Sequence, residues 1–203
     1  MRPWLALLGT IVVGALLVPT AANSAPARAA SAAAPNPAHC DPIDTAQCML
    51  PFPDNFFTVP DRTKATGRRV NFPTDVMPTN ASGTPIDPTD WNRLDGFSPG
   101  SEIIVPVPGI DLTKTGAAPV TNIGQSLLPN APIVLLDMNT GQRVPYWAEL
   151  DTWNTDATTR ALVIRPARNF LEGHRIAVGL RNLKNANGRP LAAPASFRTL
   201  LGW

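Results

Sequence analysis

Proline sets the first limit on what this chain can fold into. It supplies 23 of the 203 residues, about 11% against a usual share of roughly 5%. Each proline removes a backbone donor and fixes one dihedral, which argues against a helical bundle. Short strands, turns and extended runs are what remain. Apolar residues make up 44% of the chain and charged residues 16%, which separates it from membrane bundles and from highly charged disordered chains.

The first thirty residues differ from the rest. Met1-Arg2-Pro3-Trp4 is a short positive start, and Leu5 to Val18 is an apolar run. Small residues follow, with Ala27-Arg28-Ala29 as one Ala-x-Ala cleavage candidate in the interval from Ala22 to Ala34. That order of regions is the order of a secretory signal peptide. The apolar run of about 14 residues is shorter than the ~20 that span a bilayer. No cysteine closes it, which argues against lipid anchoring. The chain is therefore expected to be secreted and not membrane-spanning after cleavage, with residues 26–38 as a flexible leader. The formal charge of +2 falls to about zero once Arg2 and Arg28 leave, so there is no electrostatic case for nucleic acid.

Export gives meaning to the two cysteines, Cys40 and Cys48. In an oxidising compartment an even pair reads as a disulfide. Closing so short a loop is worth about 2–3 kcal/mol on the loop-entropy model. A Cys-x7-Cys spacing is not a zinc signature, and the nearest histidine, His39, stands alone.

Two regions follow the leader. Residues 31–99 comprise that leader and a proline-rich, aromatic stretch with little periodicity. Pro51-Phe52-Pro53-Asp54-Asn55-Phe56-Phe57 reads as extended, Asp61 to Arg69 as a polar turn, and Thr89 to Gly96 as a short capped helix. Such a stretch is expected to lack a core of its own and to wrap over a neighbour. Residues 100–200 read as strands: Glu102–Val107, Pro132–Met138, Arg143–Leu150, Arg160–Arg165, His174–Arg181 and Ser196–Leu200. Thr121 to Leu128 is expected to be a short helix. Asn139-Thr140-Gly141-Gln142 is a hairpin turn with Gly141 at positive φ. In the return strand Val144, Tyr146, Ala148 and Leu150 share one face, and Arg143, Pro145, Trp147 and Glu149 the other. In the His174–Arg181 strand Ile176, Val178 and Leu180 are expected inward. Six short strands in about 100 residues, with turns between them, predict an antiparallel β-sandwich.

The stretches Leu162-Val163-Ile164-Arg165-Pro166, Leu171-Glu172-Gly173, Ile176-Ala177-Val178, Asn187-Gly188-Arg189-Pro190-Leu191 and Phe197-Arg198-Thr199 resemble, in their order, the C-terminal half of bacterial Ig-like domains of secreted and cell-surface proteins. The chain departs from that pattern at Ile176, where the family often has tyrosine. A wider resemblance rests on Cys48-Met49-Leu50-Pro51-Phe52-Pro53-Asp54-Asn55-Phe56-Phe57, on Thr84-Pro85-Ile86-Asp87-Pro88, on Trp91 to Ser98 and on Pro132 to Asp137. These are similar to the N-terminal region of large secreted bacterial hydrolases of the virulence-factor lipase type, where a proline-rich start and an Ig-like module precede an α/β-hydrolase domain. The resemblance implies a mostly-β chain with an Ig-like sandwich and an irregular proline-rich N-terminal extension. It also implies that the chain is the non-catalytic front of such a protein, truncated or a fragment, with a hydrolase domain as its partner.

Candidate chemistry in the chain is sparse. A nucleophile elbow needs Gly-x-Ser-x-Gly; Gly124-Gln125-Ser126-Leu127-Leu128 has only half of it, so Ser126 reads as a cap or turn residue. A Ser-His-Asp triad needs a histidine base, and only His39 and His174 exist. Both read as exposed or turn residues, and neither pairs into a zinc site. Glu149 and Asp151 share a strand face rather than opposing each other across a cleft, as glycosidase carboxylates do. Asp151 to Asp156 lacks the spacing of a calcium loop and reads as a solvated turn. Trp91, Trp147 and Trp153 are candidates for a sugar-stacking platform. Trp147 points away from the core face, so it either stacks on a ligand or is covered by the proline-rich stretch. The second is favoured because residues 50–57 need an apolar surface. No catalytic, cofactor-binding or metal-ligating residues are assigned, and no cofactor is expected. The expected role is a non-catalytic accessory or positioning module of a secreted hydrolase-like protein. The alternative is a free-standing extracellular module that binds a polysaccharide or cell surface.

Overall fold

The structure, a computed structural model, describes residues 34–202. The expected signal peptide, residues 1–30, lies outside the described residues. The fold is mostly β. Its strands are β1 (Thr58–Pro60), β2 (Arg68–Val70), β3 (Ile103–Pro106), β4 (Ile133–Asp137), β5 (Arg143–Val144), β6 (Tyr146–Leu150), β7 (Ala161–Pro166) and β8 (Ile176–Leu180). Two short helices are α1 (Leu112–Thr115) and α2 (Ala195–Leu200). The strands form a pair, β1-β2, and two three-stranded sheets, β3-β7-β6 and β5-β4-β8. Every pairing is antiparallel.

The two larger sheets share one core. Alternation along each strand turns Ile103, Ile133, Leu135, Val144, Tyr146, Ala148, Leu162 and Ile164 into it, joined by Ile110, Ala117 and Ala118. The Asn139–Gln142 turn forms with Gly141 at φ +71°, a conformation that a side chain would disfavour.

Residues 143–150, expected as one returning strand, are two strands that belong to different sheets. β5 pairs with β4, with Leu135 opposite Val144. β6 pairs with β7, with Trp147 opposite Arg165. Pro145 sits at the crossing. It has no N–H to offer either ladder, so the ladder breaks there, and its carbonyl accepts from the Ala167 N–H at 2.8 Å. The chain thereby turns a corner from one sheet to the other.

Two further expectations are corrected at the C-terminal end. Ser196–Leu200 is not a strand but part of α2. Pro194 leads into a run of residues that helices accept, and helical bonds run from the Arg198 N–H to the Pro194 carbonyl at 3.0 Å and from the Leu201 N–H to the Phe197 carbonyl at 3.1 Å. Val178 is 40% exposed, although it stands opposite the buried Leu135. β8 is the outer strand of its sheet, and its only ladder partner is β4.

The proline-rich front carries a core of its own, contrary to expectation. Phe57, Val70, Phe72, Val76 and Met77 are buried together, with Cys48, Met49, Phe52 and Phe97 packed against them. Rings supply what strand ladders cannot: Phe57 and Phe72 lie 5.6 Å apart, and Phe52 meets Phe97 edge-on at 5.5 Å. The expected short helix near residue 91 is a single 3-10 turn, Trp91–Arg93. The Leu50–Pro51 and Phe52–Pro53 bonds are cis. Cys40 and Cys48 are joined in a disulfide, as expected of the even pair. The front meets the sheets at Phe52, whose N–H and carbonyl exchange bonds of 2.9 and 2.7 Å with Ile104, so that it adds one bridge to the open edge of β3. No helix among the described residues is long and apolar enough to cross a membrane.

Candidate functional site

The junction between the front and the β3-β7-β6 sheet holds a cleft of about 430 Å³. Strand register builds it. Trp147 stands opposite Arg165, and Ile103 opposite Ile164 places Glu102 beside Arg165 on the other flank. These residues lie on the sheet face turned away from the core. Ile104 and its bridge partner Phe52 complete the wall, with Ser101 at the side.

The polar groups of the cleft form one chain. The Trp147 indole N–H donates to Glu149 Oε1 at 2.5 Å. The same oxygen lies 3.0 Å from Arg165 Nε. Arg165 Nη1 lies 2.6 Å from Glu102 Oε2, an oxygen shut off from solvent with no hydrogen bond of good geometry. One guanidinium is thus held between two carboxylates, and the indole is fixed by the first of them. Glu102, Arg165 and Phe52 were not singled out in the sequence. The available signal was parity: Arg165 alternates out of phase with the apolar Leu162 and Ile164, as Trp147 does with Tyr146 and Ala148. Parity alone does not say which outward residues become neighbours.

The other candidates are placed elsewhere. Ser126 is buried; its hydroxyl donates to the Ile123 carbonyl at 2.7 Å and accepts from the Tyr146 N–H at 3.2 Å. It therefore braces the corner where the chain changes sheets. Glu149 and Asp151 do not act as a pair: Glu149 belongs to the Arg165 chain, and Asp151 accepts from the Trp153 N–H at 2.9 Å in a turn. Asn154 and Asp156 form successive turns of the same kind. Hydrogen bonds from the Thr158 backbone and hydroxyl hold the Asp156 carboxyl below its ordinary range. Trp153 is 97% exposed and Trp91 is also exposed; neither lines the cleft, so the three tryptophans do not make one platform. Trp147 is half-buried and lines the cleft together with Phe52 of the front.

Each histidine has an aspartate partner that the sequence reading missed. His39 Nδ1 lies 2.8 Å from Asp75 Oδ1, while Asp75 Oδ2 accepts from the Asn36 N–H at 2.8 Å. The Asn36 and His39 bonds hold the Asp75 carboxyl below its ordinary range. His174 Nδ1 lies 2.8 Å from Oδ2 of the buried Asp137. Burial pushes the Asp137 carboxyl up, but bonds from His174, Thr140 and Asn139 outweigh it and hold it low. The Asp137 carboxylate also caps the β4–β5 turn, accepting from the Asn139 and Thr140 N–H groups at 2.9 and 3.1 Å. Among the described residues no group of three or more His, Cys, Asp or Glu is placed to hold a metal ion.

A second surface is apolar. Phe197, Leu200 and Leu201 fall at i, i+3 and i+4 along α2 and its C-cap, and so share one helix face. They are 37%, 58% and 47% exposed. At its other end α2 is tied to the front, where the Ser196 hydroxyl donates to the Ile43 carbonyl at 2.8 Å. No protein-family model matches this chain, no curated protein matches it in sequence, and no solved structure matches it.

Proposed function

We propose that this chain is a secreted, non-catalytic module that packs against and positions a hydrolase-like domain. The observation that carries the reading is the face of Phe197, Leu200 and Leu201 on α2, three large apolar side chains at helical spacing left open to water. Apolar faces of this kind in an exported protein serve as contact surfaces. Two sheets around one core, with a strand crossing from one to the other, support the Ig-like reading of residues 100–200. The disulfide supports an oxidising compartment. The module acts by contact: α2 offers the face, and the Ser196 bond to Ile43 anchors the helix to the disulfide loop.

The test is fluorophosphonate labelling of the native secreted product from the producing culture, followed by peptide mapping and intact mass. The reading expects label on a serine in a polypeptide that contains this chain together with a further domain, or in a partner held by it. Label on a serine of this chain overturns the non-catalytic reading. A product with the mass of this chain, unlabelled and without a labelled partner, overturns the hydrolase association.

A further inference from the structure

We propose that the cleft between the front and the β3-β7-β6 sheet binds a saccharide, with the Trp147 indole as its stacking surface. Its volume of about 430 Å³ falls within the ~300–1,000 Å³ of small-molecule sites, and it lies where two regions meet, a common place for them. The lining mixes apolar surface, from Phe52, Ile104 and Trp147, with polar groups from Ser101, Glu102 and Arg165, the last held from behind by Glu149.

Charge decides the ligand class. Arg165 is already held by two carboxylates, so an anion would have to displace one of them and face the other. A neutral ligand with many hydroxyls fits without displacing anything. Its O–H groups donate to the free carboxylate lone pairs, and its oxygens accept from guanidinium N–H groups not used by the glutamates. The C–H faces of a sugar ring suit the indole, whose one polar atom is already satisfied by Glu149. That bond also fixes the ring before any ligand arrives, which lowers the ordering cost of binding.

The full chain is titrated calorimetrically with cellohexaose, chitohexaose and maltohexaose in turn. Saturable binding of at least one, with a dissociation constant of roughly millimolar or tighter, is the expected result. Trp147→Ala and Ser101→Trp are expected to weaken it by about tenfold or more, and Trp153→Phe to leave it unchanged. Ser101→Trp fills the cleft from its side without removing a core contact, so it remains informative if Trp147→Ala fails to fold. No binding of any of the three sugars overturns the proposal. So does binding that survives both cleft variants, or binding of spermidine or choline where no sugar binds.

Discussion

The body, residues 101–191, and the front, residues 34–100, each bury a core, but they satisfy their backbones by different means. In the body the ladders of β3-β7-β6 and β5-β4-β8 pair N–H with carbonyl, and aliphatic side chains fill the space between the sheets. In the front, prolines limit the ladder to the short β1-β2 pair, and elsewhere side-chain oxygens take its place. Asn92 stands in for a strand: its Oδ1 accepts from the Phe72 N–H at 2.7 Å and its Nδ2 donates to the Phe72 carbonyl at 3.0 Å. Asp41, Asp44 and Asp54 accept from the Ile43, Ala46 and Phe56 N–H groups in the same manner. The core of the front is correspondingly aromatic, because a few large rings bury much surface with little regular backbone. A chain poor in donors can still bury a core if short polar side chains supply the partners.

The largest test of that contrast is Phe57→Ala. Phe57 is fully buried at the centre of the front, and its loss should cost about 3–5 kcal/mol. If the two cores are separate units, hydrogen exchange will show protection lost at β1 and β2 and kept at β4 and β7. Simultaneous loss in both regions would make them one cooperative unit, joined through the Phe52–Ile104 bridge.

The disulfide comes next. Replacing Cys40 and Cys48 together by serine removes a short closed loop, at a cost of about 2–3 kcal/mol. Denaturant unfolding should place that loss in the front alone. Asp41 offers a pH test of the same region. Burial raises its carboxyl to about 6, opposed by the Ile43 N–H and reinforced by the nearby Asp54 carboxylate. The folded state therefore holds a proton that the unfolded state has released between about pH 4 and pH 6. Stability from this group is complete below about pH 4 and is lost as pH rises through about 6. The expected loss is of order 2 kcal/mol, less than the full shift because solvent screens the half-buried Asp54 side of the pair. Asp41→Asn keeps the acceptor for Ile43 and should flatten the stability profile across that window.

What was legible beforehand follows from the same contrast. Body strands could be read because period-two alternation is a local signal: Leu162 and Ile164 against Val163 and Arg165 need no partner to be recognised. The split at Pro145 was not legible, since a proline in a strand signals a break but not which sheet receives each half. The helix at residues 195–200 was not legible, because Phe197, Leu200 and Leu201 are too few to set a helical period. In the front, the sequence showed extended and turn-forming residues but no core, because the partners of Phe57 and Phe72 are distant along the chain. The cleft was half legible. Trp147 could be placed outward by parity, whereas Glu102 and Phe52 join it only through strand pairing and a single bridge. The disulfide needed only two cysteines and a compartment.

The smallest effect tests the body at the corner where its chain changes sheets. At the corner the Tyr146 N–H has Ser126 Oγ as its partner, a side-chain acceptor of the kind that the front uses throughout. Ser126→Ala leaves this N–H without that acceptor in a buried setting, which should cost about 1–2 kcal/mol. Thermal unfolding measures the loss, and exchange of the Tyr146 amide locates it. The front should be unaffected. If the variant is as stable as the parent, the corner is held by Pro145 and the flanking ladders alone, and the serine is there for another reason. If the loss appears as expected, the two regions use one device, a short hydroxyl or carboxyl side chain standing in for a missing backbone partner. The body then uses it at a sheet corner as well as in its turns, where Asp137 and Asp151 do the same.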